Sequence, residues 1–220
     1  MRFVDEATGL ELGFEVRDVV LAGYTGRDQE AVRRHVEELA AHGVPAPERV
    51  PAFYRVSPDR VIAAERIHVL GPETSGEGEF LIFRWEGELW IGVGSDHTDR
   101  ALERESVTKS KELCPKVVSP RAWRLAAVRD RWERVTLRSF ADGRAYQEGP
   151  AAALLDPEDI YAMALDRSGG HGDGLLVFSG TLPLLGDLTY ARRFAVELAD
   201  DERGARLRLE YEVDAVDPID

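Results

Sequence analysis

Runs of apolar and β-branched residues, interrupted by turn residues, dominate the pattern of hydrophobic and polar positions along the chain. Such runs predict short strands. The predicted strands cover residues 16–22, 52–56, 61–64, 67–70, 79–85, 89–94, 134–140, 145–147, 174–179, 193–198 and 206–213. The strongest two, 79–85 and 89–94, are separated by Glu86-Gly87, and an acidic residue before glycine favours a hairpin turn.

Three segments have helical rather than strand spacing. Residues 27–42 repeat apolar side chains at helical intervals and end at Gly43. Residues 99–113 predict one helix stopped by Pro115, and residues 157–165 predict a short one. Because strands outnumber helices, the pattern predicts a β-rich α+β fold.

Composition and charge narrow the class of protein. The 220 residues are 44% hydrophobic and 31% charged, which fits one domain over 1–220 with an N-terminal strand and helix (1–48) packed on it. A formal charge of −13 repels phosphate and anionic lipid, so we expect neither nucleic acid nor membrane as a partner. A single cysteine, Cys114, excludes an internal disulfide and favours a reducing, cytoplasmic location.

Three acidic residues are predicted to converge at the open end of the hairpin. If Glu86-Gly87 is a two-residue turn, Glu77 lies directly opposite Asp96, with Cα atoms about 5 Å apart. Glu79 follows Glu77 by two residues, so both side chains emerge on one face. That face is otherwise apolar, and like charges there repel each other and lose hydration. A divalent cation removes both costs, and oxygen donors suit Mg²⁺, Mn²⁺ or Ca²⁺ rather than Zn²⁺.

The spacing also leaves alternatives open. Glu77 and Glu79 could lie in a solvated loop, and a β-bulge would shift the register of the hairpin.

On the first predicted helix, His35 and Glu38 are three residues apart and share a face. An imidazole oriented by a carboxylate is a common general base. The alternative is that His35 is simply an exposed histidine on a charged helix.

The segments around these residues resemble the fumarylacetoacetate hydrolase superfamily. Residues Gly94-Ser95-Asp96-His97-Thr98-Asp99-Arg100, followed by Lys109-Ser110 and Cys114-Pro115, are similar to its strand end Asn-Asp-Val-Ser-Ala-Arg and its later Lys-Ser and Cys-Pro. The family also carries a Glu-x-Glu pair on the preceding strand, as in Glu77-Gly78-Glu79. Further similarity covers residues 50–58, 142–149 and 172–183. The usual longer loop between the Glu pair and the Asp is reduced here to a turn.

The resemblance implies a fold and a set of roles. The fold is the mixed β-sheet roll with few helices found in the C-terminal domain of the superfamily, in a bacterial branch of it and as a homodimer. The implied metal ligands are Glu77, Glu79 and Asp96. The implied catalytic residues are His35, Glu38 and Lys109, with Lys111 as a rival for the lysine. The implied substrate-binding residues are Tyr54, Arg55, Arg100 and Thr181, although Arg100 could equally form an ion pair within the fold.

The same resemblance implies an activity. We expect a hydrolase that depends on Mg²⁺ or Mn²⁺ and cleaves a C–C bond of a small anionic 2-oxo or β-diketo acid, acylpyruvate-like, through a metal-stabilised enolate. The same metal site would also support a decarboxylase, an isomerase or a hydratase of 2-oxo acids, or hydrolysis of an amide or lactone. A non-catalytic binding protein that retains the fold is a further alternative.

Overall fold

The computed structural model describes residues 2–41, 43–170, 172–217 and 219; the side chains of residues 35 and 39 lie outside the description. Within that part of the chain there are seventeen strands and five α-helices. The strands are β1 Phe3–Asp5, β2 Glu11–Leu12, β3 Asp18–Gly23, β4 Ala52–Val56, β5 Val61–Ile62, β6 Arg66–Leu70, β7 Thr74–Ser75, β8 Gly78–Trp85, β9 Glu88–Asp96, β10 Thr98–Asp99, β11 Lys116–Val118, β12 Arg121–Arg124, β13 Thr136–Ala141, β14 Arg144–Pro150, β15 Leu175–Phe178, β16 Arg193–Asp200 and β17 Ala205–Val216. The α-helices are α1 Gln29–Ala41, α2 Arg100–Glu103, α3 Val107–Leu113, α4 Leu125–Val128 and α5 Pro157–Arg167.

Two mixed sheets make up most of the molecule. The ten-stranded sheet has the order β2-β1-β12-β9-β8-β15-β3-β4, and β11 pairs with both β9 and β5. The five-stranded sheet has the order β14-β13-β16-β17-β6. This architecture confirms the predicted β-rich α+β class and the mixed roll with few helices. None of the described helices is long and apolar enough to cross a bilayer.

The central hairpin of the large sheet is buried on both faces. Alternate side chains of β8 point to opposite sides, as strand geometry requires. Phe80 and Ile82 join the core between the two sheets, whereas Leu81 and Phe83 join a second cluster on the other face with Trp90 of β9. An acidic side chain on either face of this hairpin is therefore placed in apolar surroundings.

The predicted hairpin register is confirmed. Trp85 pairs with Glu88 and the pairing continues without a shift to Gly78 opposite Ser95. Both turn residues have positive φ, 49° at Glu86 and 82° at Gly87, the backbone of the turn that suits a two-residue hairpin loop. The register therefore extends to the acidic residues at the open end.

The prediction of one helix over 99–113 is wrong, because the segment contains two helix starts. The side chain of Asp99 accepts a hydrogen bond from the Leu102 amide at 2.8 Å and begins α2. Ser106 in turn accepts from the Lys109 amide at 3.4 Å and begins α3. An N-cap residue has extended backbone, so a second cap divides the segment and gives α3 its own direction.

Gly78 allows the two sheets to approach closely beside the acidic pair. A Cβ at this position would lie 2.9 Å from Ser139 Cβ and 3.0 Å from Val196 Cγ1, both on the five-stranded sheet. The Gly78 amide also donates to Gln147 Oε1 at 3.0 Å. The glycine in Glu77-Gly78-Glu79 is thus a packing requirement of the strand.

We predict that Gly78→Ala lowers the free energy of unfolding by about 1–3 kcal/mol, because the added methyl overpacks a filled core. Urea unfolding followed by tryptophan fluorescence measures the change. Gly13→Ala is the matched control, since a Cβ there meets no atom within 4 Å, and it should stay within about 0.5 kcal/mol of the parent. Equal stability of the two variants would contradict close packing at Gly78.

Candidate metal centre

The open end of the β8–β9 hairpin brings three carboxylates together. The Asp96 amide donates to the Glu77 carbonyl at 3.0 Å, so these residues face each other as the register predicts. One carboxylate oxygen from each of Glu77, Glu79 and Asp96 lies within 4.8 Å of the other two. Glu79 and Asp96 are each 1% exposed. The interpretation of this segment as a solvated loop is therefore wrong.

Lys111 extends from α3 onto two of these carboxylates. Its Nζ contacts Asp96 Oδ2 and lies 3.3 Å from Glu77 Oε2. The same Nζ lies 6.0 Å from the centroid of the Tyr54 ring. Burial alone would lower the pKa of Lys111, but the negative charges of Asp96, Glu77 and Glu79 outweigh it and raise the pKa. Lys111 therefore stays cationic at the centre of the cluster.

Arg100 reaches the cluster from α2. Its guanidinium lies 3.0 Å from Glu77 Oε1 and 3.0 Å from Glu103 Oε2, and its Nε donates to Ser75 Oγ at 2.7 Å. These contacts engage the guanidinium within the fold. Of the two roles that the sequence left open for Arg100, the structure shows the ion pair.

The third cation is Lys116 on β11, whose Nζ lies 3.1 Å from Asp96 Oδ1. Four carboxylates and three cations therefore meet here among the residues that the structure describes. The carboxylates are Glu77, Glu79, Asp96 and Glu103, and the cations are Arg100, Lys111 and Lys116. One negative charge in this group has no matching cation.

The excess negative charge shows in the ionisation of the two glutamates. Burial raises the pKa of Glu77, but Lys111 and Arg100 outweigh it and lower the value to about 2. For Glu79, burial and then the charges of Asp96 and Glu77 raise the pKa well above its ordinary value. Among the described residues of this cluster, Glu79 is thus the carboxylate without an ion pair, and an added positive charge would stabilise its ionised form.

The geometry fits a hard divalent cation. Metal–oxygen distances of about 2.0–2.6 Å put ligand oxygens on opposite sides of an ion about 4–5 Å apart. The three carboxylate oxygens, all within 4.8 Å of one another, can meet that requirement with small movements. The donors are oxygens only, a set that favours Mg²⁺, Mn²⁺ or Ca²⁺. These three carboxylates could therefore bind a metal ion.

Backbone and side-chain donors fix the strand that carries the acidic pair. The Gly180 amide donates to Glu79 Oε2 at 2.8 Å. Gly180 has φ +85°, and a Cβ there would lie 2.4 Å from Thr25 Oγ1, so only glycine fits. Thr181 Oγ1 donates to the Gly78 carbonyl at 3.0 Å and accepts from Gln147 Nε2 at 2.5 Å. Thr181 and Gln147 thus hold β8 beside the carboxylates.

Two phenols lie beside the charged cluster. Tyr54 and Tyr24 are both half-buried, and burial raises the pKa of each, to about 12 for Tyr24. The charges of Glu103, Lys111 and Glu77 act on both hydroxyls, and the Tyr54 ring lies 6.0 Å from Lys111 Nζ. Tyr24 has φ +58°, a strained conformation for a large side chain. Sequence reasoning missed Tyr24, because a single sequence carries no sign of that backbone geometry.

Other predicted site residues lie elsewhere. Lys109 is exposed on α3, and Lys111 takes the position at the carboxylates that the motif favoured for Lys109. Arg55 is also exposed and pairs with Asp18 at 3.0 Å, and the structure shows it at none of the three acids. The side chain of His35 lies outside the described residues. Glu38 is on α1 and exposed.

His97 and Cys114 are buried close to the cluster but have other partners. His97 hydrogen bonds to Tyr211 and Thr74 at 2.9 Å each, on the face opposite Asp96, as strand alternation predicts. Burial, with Lys116 and Arg100 nearby, lowers the pKa of His97 to about 3. Cys114 is a free, buried thiol whose pKa burial raises to about 11. Neither residue has the properties of a nucleophile or general base near neutral pH.

Comparison with known proteins supports the assignment of the fold. The family model described as "Protein of unknown function (DUF2848)" matches residues 22–211. No functionally curated protein matches this chain in sequence. A solved fumarylpyruvate hydrolase from Pseudomonas aeruginosa, in complex with Mn²⁺ and pyruvate, has TM-score 0.64 and 19% identity, covering 98% of this chain and 96% of its own.

Two solved isomerases have the same fold. The 5-carboxymethyl-2-hydroxymuconate delta-isomerase from Mycobacterium smegmatis has TM-score 0.63 and 15% identity, covering 96% of this chain and 84% of its own. The 2-hydroxyhepta-2,4-diene-1,7-dioate isomerase from Mycobacterium marinum has TM-score 0.62 and 15% identity, covering 94% and 81%. At these identities the comparisons establish a shared fold, and the resemblance to the fumarylacetoacetate hydrolase superfamily is confirmed at that level.

We predict that Lys111→Met lowers the free energy of unfolding by about 1.5–3 kcal/mol in EDTA, because Asp96 and Glu77 lose their shared ammonium but keep Lys116 and Arg100 as partners. Added Mn²⁺ should recover part of that loss, since a cation bound only by the folded state stabilises it. Urea titrations with EDTA and with Mn²⁺ measure both effects. Lys109→Met, on the exposed side of the same helix, should change stability by no more than about 0.5 kcal/mol in either buffer. A larger effect of Lys109→Met would contradict the placement of Lys111.

Proposed function

Because this chain belongs to the DUF2848 family and has the fold of the fumarylacetoacetate hydrolase superfamily, we propose that it is a divalent-metal-dependent hydrolase of 2-oxo or β-diketo acids. The observation that carries the proposal is the convergence of Glu77, Glu79 and Asp96 within 4.8 Å, with one carboxylate lacking a cation. Glu77, Glu79 and Asp96 would bind the ion, Mg²⁺ or Mn²⁺ in preference and Ca²⁺ as a further option. When bound, it supplies a Lewis acid that polarises a substrate carbonyl.

The charge balance supports an anionic substrate. With all four carboxylates ionised, a bound divalent ion would give the described cluster one excess positive charge. A substrate carboxylate would restore neutrality. The fumarylpyruvate hydrolase with the same fold was solved with Mn²⁺ and pyruvate, a 2-oxo acid. We therefore propose an acylpyruvate-like substrate whose 2-oxo carboxylate end lies at Glu77, Glu79 and Asp96.

Lys111 and the two tyrosines are proposed to act on the substrate side. The Lys111 ammonium adds positive charge next to Asp96 and stabilises the enolate oxygen that develops as the C–C bond breaks. Tyr54 and Tyr24 stay protonated near neutral pH, because burial raises their pKa, so each can donate a hydrogen bond to a substrate oxygen. Arg100 orients Glu77 through their 3.0 Å contact. Thr181 supports the strand through its hydrogen bond to the Gly78 carbonyl, and we propose that it also contacts substrate.

The proposed reaction consumes one water. A general base removes a proton from water, the hydroxide adds to the acyl carbonyl, and the C–C bond breaks toward the 2-oxo acid. The bonding electrons leave as the enolate of the 2-oxo acid, whose carbon then takes up the proton. The products are a carboxylic acid and a 2-oxo acid. His35 on α1, oriented by Glu38, is the proposed base.

Isomerisation of a 2-oxo acid is the second candidate, favoured by the two isomerases that share the fold. It uses the same stabilisation of an enolate but needs no attacking water. Decarboxylation and hydration would draw on the same enolate stabilisation. The role of the water-activating base therefore distinguishes hydrolysis from isomerisation. A homodimer and a cytoplasmic location complete the proposal.

We predict that the purified protein binds Mn²⁺ or Mg²⁺ and cleaves an acylpyruvate, oxaloacetate or a 2-oxo-3-deoxy sugar acid within a substrate panel, and that EDTA abolishes turnover. Glu79→Gln should reduce Mn²⁺ content and lower kcat/KM by at least about 100-fold, because it removes the carboxylate that most needs the ion. Metal analysis and absorbance assays measure the two effects.

Glu197→Gln is the matched control for that experiment. Glu197 is a buried glutamate of β16 that pairs with arginines of the five-stranded sheet, away from the three acids. It should keep full metal content and turnover even if stability falls. Turnover that survives both EDTA and Glu77→Ala would exclude the proposed metal mechanism.

We predict that His35→Gln lowers the rate of water-dependent cleavage by about 10²–10⁴-fold, because it removes the base that activates water. Mn²⁺ affinity, measured by calorimetry on the same preparation, should be unchanged. Equal losses of cleavage and metal affinity would show that His35 has a structural role. Full cleavage by His35→Gln would assign the base to another residue.

A further inference from the structure

Lys116 is a charged side chain with no exposure to solvent, inside the large sheet. It is the first residue of β11 and pairs directly with Asp96 of β9 in antiparallel register. Directly paired residues extend from the same face of a sheet, so Lys116 and Asp96 lie side by side. A buried lysine is costly to desolvate, and burial lowers the pKa of Lys116 although the charge of Asp96 opposes that shift.

The Lys116 ammonium lies among four oxygens. It donates to the His97 carbonyl at 2.6 Å, to the Cys114 carbonyl at 3.0 Å and to the Lys111 carbonyl, and it lies 3.1 Å from Asp96 Oδ1. Carbonyl oxygens only accept hydrogen bonds, so three N–H donors are needed at once. A protonated lysine supplies three, and a neutral amine only two. These contacts therefore favour the protonated, charged form of Lys116.

These contacts connect three parts of the metal centre. The Lys111 and Cys114 carbonyls belong to the end of α3, where helical carbonyls have no intrahelical partner. The His97 carbonyl follows Asp96 in the chain. Through one ammonium, the end of α3 is fixed against the strand that carries Asp96. The backbone position of residue 111 in turn decides where the Lys111 side chain starts.

The ammonium also decides which oxygen of Asp96 faces the other acids. Oδ1 is directed to Lys116, and Oδ2 is the oxygen that contacts Lys111. Thr98 Oγ1 lies 3.5 Å from the same Oδ1, a longer and uncharged contact, so loss of the Lys116 ammonium would leave Oδ1 only weakly held. A carboxylate ligand whose second oxygen is fixed by a neighbour is preorganised for an ion.

We propose that Lys116 is a positioning residue of the metal centre, which orients the Asp96 carboxylate toward Glu77 and Glu79 and fixes the helix end that carries Lys111. This inference rests on the proposed function in one respect, because it requires that these acids bind a divalent ion. It adds a residue that touches neither that ion nor the substrate.

Positioning and plain electrostatics predict opposite results. A positive charge beside Asp96 repels a second cation, so removing the charge alone would tighten metal binding. Loss of orientation would weaken it, and removal of such a supporting contact typically costs 10–100-fold in metal affinity. The direction of the change in affinity therefore separates the two roles.

The experiment compares Lys116→Met with Arg131→Met in the full-length protein. Arg131 is also a buried cation paired with a buried carboxylate, Asp200, and neither residue contacts the three acids. Both variants are checked for native circular dichroism. The affinity for Mn²⁺ alone is then measured by calorimetry, and the electron paramagnetic resonance spectrum of bound Mn²⁺ reports the symmetry of its ligands.

Support is a 10–100-fold lower Mn²⁺ affinity and an altered spectrum for Lys116→Met, with wild-type values for Arg131→Met. Unchanged or higher affinity for Lys116→Met overturns the proposal, as does an equal loss in both variants. If Lys116→Met does not fold, Lys116→Gln is used, because its amide donates two hydrogen bonds; its affinity should also fall. Failure of both to fold while Arg131→Met folds would make Lys116 a folding determinant and overturn the positioning role.

The same measurements distinguish failure of the proposed function from failure of the role assigned to Lys116. If the wild-type protein binds no Mn²⁺, the proposed function is wrong. If the wild-type protein binds Mn²⁺ and Lys116→Met binds it equally well, only the inference about Lys116 is wrong.

Discussion

Burial of like charges is the constraint on which the arrangement of this molecule depends. Glu77, Glu79 and Asp96 extend from the hairpin face that carries the apolar cluster around Leu81 and Phe83, where repulsion and lost hydration both disfavour ionised carboxylates. The surrounding elements supply compensating charge: Arg100 on α2, Lys111 on α3 and Lys116 on β11. Helices as short as α2 and α3 are unstable alone, so their position reflects these contacts. The negative charge of Glu79 is not compensated by a cation of the described cluster, and this imbalance is the physical basis for the proposed ion.

Much of the site was predictable from the sequence, because the turn position and the alternation of side chains determine which residues of a hairpin lie together. A two-residue turn at Glu86-Gly87 fixes every cross-strand pair, and alternation then fixes which side chains share a face. From these two rules Glu77 comes opposite Asp96, and His97 comes on the other face, as the structure shows. The fold class followed from the number of β-prone runs, but the strands at the N-terminus and after Pro115 were too short or too polar to give a pattern.

Positions that depend on tertiary contacts were not predictable. The choice between Lys109 and Lys111 depends on where α3 starts and in which direction it runs, and Ser106 sets both by interrupting the expected longer helix. Residues two positions apart on a helix point in nearly opposite directions. A small change in where α3 starts or how it is oriented therefore decides whether Lys109 or Lys111 faces the carboxylates. Lys116 gave no signal, since a lysine among turn residues usually lies in solvent. Tyr24 depends on a backbone conformation that its residue type disfavours.

The position of the turn at Glu86-Gly87 determines where the chain can accept inserted segments. It lies nine residues from Glu77, which at about 3.3 Å per residue puts the tip of the ribbon roughly 30 Å from the acids. The register is secured in the middle of the ribbon by neighbouring strands on both sides, because β15 pairs with residues 81–83 and β12 with residues 90 and 91. Extra segments can therefore be accommodated at the tip while the chemistry at the other end keeps its geometry. The tip is an entry point for loop diversification and for engineered insertions of reporters or affinity tags.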